Sequence, residues 1–315
     1  MNAPNPLHHL APPIHRVLPG SLALLAFITF LAPQALAQPR LRIATFNAEN
    51  YLVRPANGRT VKTMPQRSKV AELLADLNPD VVALQEIGDP EALSDLQGRL
   101  RSRGIDLPHA DLARGHDPDI AVAILSRFPF ASRVHHTHES YLLDGRRLRT
   151  SRAFAEVSFH PAPGYRVFLL AAHLKSKRAV GVASESDMRE QEAILLREKA
   201  DAILHQDPDA NVVVCGDFND TQDSPALRVL RGKGTRALID TKPAEPCPSP
   251  APARRVTWTH HFAREDAFTR IDYILVSRGM AREWRPEGTR VHPAHDWGMA
   301  SDHRPIVAEF DAADR

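Results

Sequence analysis

Beyond residue 40 the chain alternates between short apolar runs and amphipathic stretches, the pattern of strands exchanged with helices. Leu41 to Asn47 alternates enough to predict a strand, and Val70, Leu73, Leu74 and Leu77 then recur at i, i+3, i+4 and i+7, the apolar stripe of a helix. Asn78-Pro79 ends that helix, because the residue before a proline is pushed out of helical geometry. Val81 to Leu84 reads as a buried strand, about Pro90 to Arg103 as a polar helix and Ile120 to Leu125 as strand again. Ala153, Ala155, Val157 and Phe159 share one face of the next strand. Tyr165 to Leu170 follows as its neighbour, through the turn signal Pro161 to Gly164.

The second half repeats this plan. A long amphipathic helix from about Asp187 to His205 leads into the strand Asn211 to Cys215, and further strands are expected at Val256 to Thr259, Ile271 to Val276 and Ile306 to Phe310. Two halves of helix plus several strands predict paired sheets with helices outside. Thr241 to Arg255 holds five prolines and reads as a surface loop, as does the polar, unpatterned stretch Lys175 to Ser186.

The first 37 residues read as an address. His8, His9, His15 and Arg16 precede the apolar run Leu22 to Ala32, and Ala35 and Ala37 form an A-x-A cleavage pattern before Gln38. Eleven residues fall short of the roughly 20 that span a bilayer. The expectation is a signal peptide over 1–37, a catalytic domain over 38–315, no transmembrane segment after its removal, and a secreted or periplasmic protein. Composition adds mainly exclusions: with 40 basic against 38 acidic residues there is no strong global field, so any pull on a polyanion must come from a local patch. No stable protein partner is implied. Two cysteines exclude a disulfide-stapled scaffold. A Cys215–Cys247 bridge is open to an exported chain, although a cysteine in a strand is more often a small buried hydrophobe.

Polar residues with chemistry to offer stand at the ends of the predicted strands. Asn47 ends the first, Glu86 follows the second, His173 follows Phe168 to Ala172, Asp217 and Asn219 follow Val212 to Gly216, and Asp302-His303 precede the last. Any one could be a turn residue; together they are what a rigid sheet needs to hold reactive groups in one cleft. Phosphate-ester hydrolysis requires a base for the attacking water, positive charge for the phosphoryl oxygens, and a cation or acid for the leaving oxygen. Glu86 and Asp302 are the oxygen donors suited to a hard cation, Mg²⁺, with Mn²⁺ or Ca²⁺ as alternatives.

The strings IATFNAEN (43–50), VVALQEI (81–87), AAHLKSK (171–177), VVVCGDFND (212–220), RIDYILVS (270–277) and SDHRPI (301–306) resemble the ordered motifs of the endonuclease/exonuclease/phosphatase superfamily. The resemblance spans Leu41 to Phe310 and implies a four-layer α/β/β/α sandwich, two packed mixed sheets with helices outside. It implies that Glu86 binds the divalent metal with Asn47 and Asp302 close to it, that Asp217 orients and deprotonates the water, and that Asn219 steadies the water or the transition-state oxygens. His303 would bond to the scissile phosphate, held and charged by Asp272, and His173 would bond to a nonbridging oxygen. An aspartate that fixes an imidazole's tautomer is sound chemistry by itself. Arg127, Lys175 and Lys177 are the candidates for positioning substrate. The cluster Arg146, Arg147, Arg149 and Arg152 reads either as a phosphate clamp or as a solvated turn beside Asp144-Gly145.

Several local matches are set aside. Gly232 to Ala237 fits a dinucleotide fingerprint but follows no adequate strand, Asp217-Phe-Asn219 fails as a calcium loop at Thr221 and Gln222, and His135, His136 and His138 lack ligand spacing and read as a surface loop. The leading expectation is an exported, divalent-metal-dependent phosphodiesterase with a nucleic acid substrate, DNA or RNA. The alternative is a phospholipid, as for the related sphingomyelinases, or an inositol phosphate or other small ester. Trp258, Trp284 and Trp297 are scattered along the sequence, which argues against a lipid wedge. A catalytically inactive binding protein would be expected to have a broken site, and every polar role here is filled.

Overall fold

The computed structural model describes residues 39–246 and 255–315; the leader and Cys247 lie outside the described residues. The first half runs β1 (Arg40–Tyr51), α1 (Met64–Leu77), β2 (Val81–Ile87), α2 (Pro90–Arg101), β3 (His109–Ala113), β4 (Ala121–Ser126) and β5 (Phe130–His136). A small hairpin, β6 (Ser140–Leu143) and β7 (Arg146–Arg149), leads into β8 (Phe154–Ala162), β9 (Tyr165–His173), α3 (Glu185–Gln206), β10 (Asn211–Asp217) and α4 (Pro225–Arg231). The chain ends with β11 (Ile239–Asp240), β12 (His260–Phe262), β13 (Ala267–Thr269), β14 (Asp272–Val276), α5 (Arg278–Glu283), β15 (Trp284–Val291) and β16 (Ile306–Asp311).

Two six-stranded mixed sheets carry the architecture, in the orders β15-β16-β1-β2-β4-β3 and β11-β14-β10-β9-β8-β5. Their central strands are apolar on both faces, and the alternation decides which layer each side chain joins. Ile43, Val81 and Ile124 of one sheet meet Val157, Leu169, Val213 and Ile274 of the other in the inter-sheet core. The intervening residues Ala44, Phe46, Val82 and Leu84 pack under α1 and α2, through Leu73, Leu74, Leu77, Leu96 and Leu100. Leu170, Val212 and Val214 pack under α3 and α4, through Leu196, Ala200, Leu227 and Leu230. The result is the α/β/β/α sandwich expected from the sequence. Cys215 is a buried free thiol of the inter-sheet core, and burial pushes it up to about 12, so it serves as a small hydrophobe.

Strand direction brings the site together. β1 runs parallel to β2, and β9 parallel to β10, so Asn47, Glu86, His173 and Asp217 all sit at carboxyl ends on the same side of their sheets. β16 is antiparallel to β1 and β14 antiparallel to β10, so the amino ends of those strands, with Asp302-His303 and Asp272, arrive at the same places. In the second sheet Asp217 is the register partner of both His173 and Asp272.

Some elements differ from the pattern-based expectation. Helix α1 begins six residues before Val70, at Met64, because Thr63 and Gln66 form a reciprocal capping box and Pro65 occupies the first turn. Val256 to Thr259 is not a strand; the short strand starts at His260. His135 and His136 belong to edge strand β5 rather than to a loop, bonded to Asp111 and Glu156 at 2.8 Å each. That strand, like β3 and β15, lies at or beside a sheet edge and carries polar residues that mask a period of two. Among the described residues no helix is long and apolar enough to cross a membrane.

Candidate active site

Asp217 stands at the centre. It is 1% exposed at the end of β10, and Gly216 before it, at φ 139°, lets β10 pass β9 so closely that a Cβ there would fall 1.9 Å from the Ala172 carbonyl oxygen. Its Oδ2 accepts from Asn47 Nδ2 at 2.9 Å and its Oδ1 from the Asn219 backbone N–H at 2.8 Å. Two imidazoles flank Oδ2, His173 Nε2 at 3.5 Å and His303 Nε2 at 3.7 Å. Burial, with some help from Asp272, pushes the Asp217 carboxyl up to about 6, while His303, Asn47 and Asn219 pull the other way.

The two histidines are held in opposite states. His303 Nδ1 bonds to Asp272 Oδ2 at 2.8 Å, Nε2 also lies 3.8 Å from Asp302, and the backbone N–H is anchored by Ser301 Oγ at 3.0 Å. Burial disfavours its charge, but Asp272 and Asp217 outweigh burial and hold the imidazole well above its usual range. His173 has no carboxylate on its other side: its buried Nδ1 lacks a partner, and burial together with the nearby Arg152 guanidinium holds it well below the usual range. Arg152 in turn fixes the backbone there, donating to the carbonyls of His173 (Nε, 3.1 Å) and Leu174.

The first sheet contributes acids. Glu86 lies at a β-bulge with φ 62°, a left-handed conformation disfavoured for a side chain of its size, and is locked by the Asn50 backbone N–H to Oε2 (2.8 Å) and Asn47 Nδ2 to Oε1 (3.4 Å). Glu49 and Asn50 share that conformation, at φ 44° and 51°. A cleft of about 370 Å³ is lined by Glu49, Glu86, Asp302, Arg152, His173 and Lys175, among others. Burial, then the neighbouring Asp302 and Glu86 charges, raise the Glu49 carboxyl, while Lys62, 3.5 Å from it, works against them. Repulsion among three carboxylates aimed at one space is relieved by a divalent cation, and their oxygen donors fit a hard ion such as Mg²⁺. Two groups that contain His303, with His260 and Asp302 or with Asp217 and Asp272, are also compact enough to surround an ion. An imidazolium has no lone pair to give, which favours the Glu49, Glu86 and Asp302 side.

Asn47, Glu86, His173, Asp217, Asn219, Asp272, Asp302 and His303 are therefore brought together. Asn219, at φ 54°, turns its amide back to the Leu174 carbonyl at 3.0 Å while its own N–H serves Asp217. Lys175 lines the cleft, but its ammonium donates to the carbonyls of Ser176 (2.9 Å) and Arg178 (2.7 Å), so it braces the following loop. Lys177 is exposed, and Arg178 rather than Lys177 lines the cleft. Arg127 is not brought to the site. It follows β4 at the opposite end of the sheet, bonded to Asp80 at 2.8 Å, about 20 Å along β2 from Glu86 at roughly 3.3 Å per residue.

Sequence reasoning passed over Glu49, Lys62 and His260. Glu49 carried a signal, since it lies inside the motif IATFNAEN. His260 carried none: its ring reaches within 4.6 Å of His303 only because His260 and His303 form a backbone bridge. The tryptophans also differ from expectation. Trp258 and Trp297 meet edge to face at 5.1 Å, and Phe268 joins Trp258 at 4.9 Å, because the β12–β13 hairpin folds against the turn before β16.

Solved structures share this fold. The truncated TDP2 of Caenorhabditis elegans superposes with a TM-score of 0.57 at 19% identity, covering 86% of this chain and 97% of that one. The human Nocturnin catalytic domain with bound sulfate gives 0.61 at 16% identity, over 88% and 96%. Sphingomyelinase C from Streptomyces griseocarneus gives 0.59 at 20% identity, over 87% and 100%. No curated protein matches the sequence significantly. Residues 44–303 match the model of the Endonuclease/Exonuclease/phosphatase family, and with that match, the sandwich and the motif residues gathered in one cleft, the chain belongs to this family of phosphodiesterases and phosphatases.

Proposed function

We propose that this protein is an exported, divalent-metal-dependent phosphodiesterase that hydrolyses DNA or RNA. One observation carries the hydrolase part of this reading: a buried carboxylate, Asp217, lies between His173 Nε2 at 3.5 Å and His303 Nε2 at 3.7 Å, beside the acids Glu49, Glu86 and Asp302. A carboxylate near 6 is a base poised for neutral pH, able to take a proton from the attacking water. Asn47 Nδ2 and the Asn219 N–H fix its two oxygens, so the basic lone pair has one orientation. His303, kept protonated by Asp272, presents Nε2–H to a nonbridging phosphate oxygen, where charge grows as the water adds. His173, neutral, offers a second donor without repelling His303. Glu86, with Asp302 and Glu49, would hold a divalent cation, which would supply Lewis-acid stabilisation of the charge that develops on the phosphate.

The test is a substrate panel on the purified protein: plasmid DNA, RNA and sphingomyelin vesicles, each with Mg²⁺, Mn²⁺ or excess EDTA. Nucleic acid cleavage abolished by EDTA is expected; cleavage of vesicles alone would overturn the reading. A phospholipid substrate is the second reading. The joined Trp258, Trp297 and Phe268, with Phe262 and Met299 exposed beside them, favour it. The charged turn Arg264-Glu265-Asp266 at the tip of that hairpin opposes insertion into hydrocarbon. Export rests on the leader sequence, and a mature amino terminus at Gln38, read by mass spectrometry, checks it.

A further inference from the structure

The hairpin β6–β7 is a concentration of positive charge that the site does not use. Its strands pair from Ser140 with Arg149 to Leu143 with Arg146 around Asp144-Gly145, both at positive φ (51° and 72°) as a two-residue hairpin turn requires. One face is spent on the protein, with Tyr141 buried and Leu148 half-buried. The other faces water, and there Arg149 stands across from Ser140 and Arg147 across from Leu142, which is 64% exposed. Arg146, beside the turn, is also exposed but lies on the Tyr141 side of the hairpin. None of these three guanidiniums pairs with a carboxylate among the described residues; Arg147 donates only to Ser140 Oγ, at 3.2 Å. Several other arginines are matched to acids, as Arg189 to Asp220, Arg197 to Asp201 and Arg270 to Asp240, and others are engaged by carbonyls or rings, as Arg152 by the His173 and Leu174 carbonyls and Arg166 by the Phe168 ring. Unmatched arginines on an ordered strand pair hold positive charge ready for an anion.

The hairpin's position says which anion. Its base is closed by the Thr150 N–H to the Glu139 carbonyl (3.0 Å), and Glu139 is tied to Lys199 of α3 at 3.0 Å, so the arm is anchored at its root. Directly after it come Ser151 and Arg152, which line the cleft beside His173. At about 3.3 Å per residue, Arg149 stands roughly 7 Å and Arg147 roughly 13 Å along the arm from Ser151. A small diester has a single phosphate and cannot occupy the cleft and the arm together; a polynucleotide repeats its charge along the strand.

We propose that β6–β7 is a phosphate-tracking arm, in which Arg147 and Arg149 on its outer face hold backbone phosphates flanking the scissile one. This deepens the nuclease reading and rests on it. An anionic bilayer could also meet arginines. The outer face offers it the single apolar side chain Leu142, with Tyr141 turned inward, so the arm lacks the apolar wedge that bilayer binding uses.

The experiment compares parent with R147Q/R149Q and R147K/R149K. Binding of a fluorescent oligonucleotide in EDTA is followed by anisotropy from about 50 to 200 mM salt, beside turnover of bis(p-nitrophenyl) phosphate with Mg²⁺. Two lost phosphate contacts should make the log–log salt slope of the glutamine variant shallower by about 1.4 on single strands and 1.8 on duplex, roughly a 7- to 12-fold smaller loss of affinity over that range. The lysine variant should keep most of the slope, and the small diester should be hydrolysed at the parent rate by all three. Parent-like slope and affinity in the glutamine variant would overturn the proposal, and so would an equal fall on oligonucleotide and small diester, which marks a merely structural hairpin. Loss of binding to phosphatidylglycerol vesicles with oligonucleotide binding intact would reassign the arm to membranes and overturn it too. The nuclease reading fails separately, by oligonucleotide that is bound through the arm and never cut when Mg²⁺ is supplied.

Discussion

Replacing Asp217 with Asn should cut turnover steeply and stabilise the fold at the same time. The substitution keeps the shape of the side chain and removes a charge that is 1% exposed. The carboxyl lies at about 6 in the native protein against an ordinary value of 3.8. Each unit is worth about 1.4 kcal/mol, so ionised Asp217 costs the fold on the order of 3 kcal/mol. The sign follows from linkage: because the folded value is raised, the parent is free of this cost below 3.8, acquires it as the pH climbs, and bears all of it above about 6. D217N escapes it throughout. Urea unfolding of parent and variant in EDTA, at pH 4, 5, 6 and 8, should therefore show a stability gap that is near zero at the acid end and grows to its plateau above pH 6. Turnover of a diester at pH 7.5 with Mg²⁺ should fall by about 10² or more, as loss of a catalytic base does. A variant less stable than the parent at pH 8 would show that the bonds from Asn47 and Asn219 and the attraction of His303 outweigh desolvation. A parent-like rate would remove Asp217 from the chemistry.

The other predictions address neighbouring groups. D272N should bring the His303 ring titration, read by NMR in EDTA, to lower pH and cut turnover about 10²-fold or more, since the 2.8 Å carboxylate that sustains the imidazolium is gone; an unchanged ring titration would refute the pairing. The stability that His303 gains from an ionised Asp272 is fully present just below the ordinary imidazole value of 6.5 and lost as pH rises through the raised value, so D272N should lose more stability near pH 6 than in alkaline solution. E86Q should raise the Mg²⁺ concentration needed for half-maximal rate by at least 10- to 100-fold, with E49Q moving it the same way, and a parent-like metal titration in E86Q would exclude it as a ligand. R127A should leave kcat/KM intact and cost less than about 1 kcal/mol of stability, because it removes a partly exposed pair at the far end of the sheet; a drop in kcat/KM would mean that substrate reaches further than the cleft.

What was legible in the sequence, and what was not, divides along physical lines. Local periodicity announced the central strands, because residues buried on both faces leave unbroken apolar runs, as in Val212 to Cys215. Polar edge strands such as β5 leave no such run, and His135 and His136 are placed in it by pairing with β8 and by their bonds to Asp111 and Glu156. The motif residues Asn47, Glu86, His173, Asp217, Asp272, Asp302 and His303 were visible by type and by their place at strand ends. Their working state was not, since protonation depends on what lies across the cleft. Two histidines that look alike in sequence become opposite groups, one facing Asp272 and one facing Arg152.

The amino-acid sequence alone determined that strands and helices alternate, which residues bear chemistry, and that they resemble a family of phosphate-ester hydrolases. Only the tertiary structure decided that Arg127 lies away from the cleft while Arg152 enters it, that Trp258 and Trp297 touch, that Glu49 joins Glu86 and Asp302, and that Arg147 and Arg149 share the outer face of one hairpin. Periodicity is a property of neighbours along the chain, whereas electrostatic environment is set by residues tens or hundreds of positions apart, so it exists only once the sheets have paired.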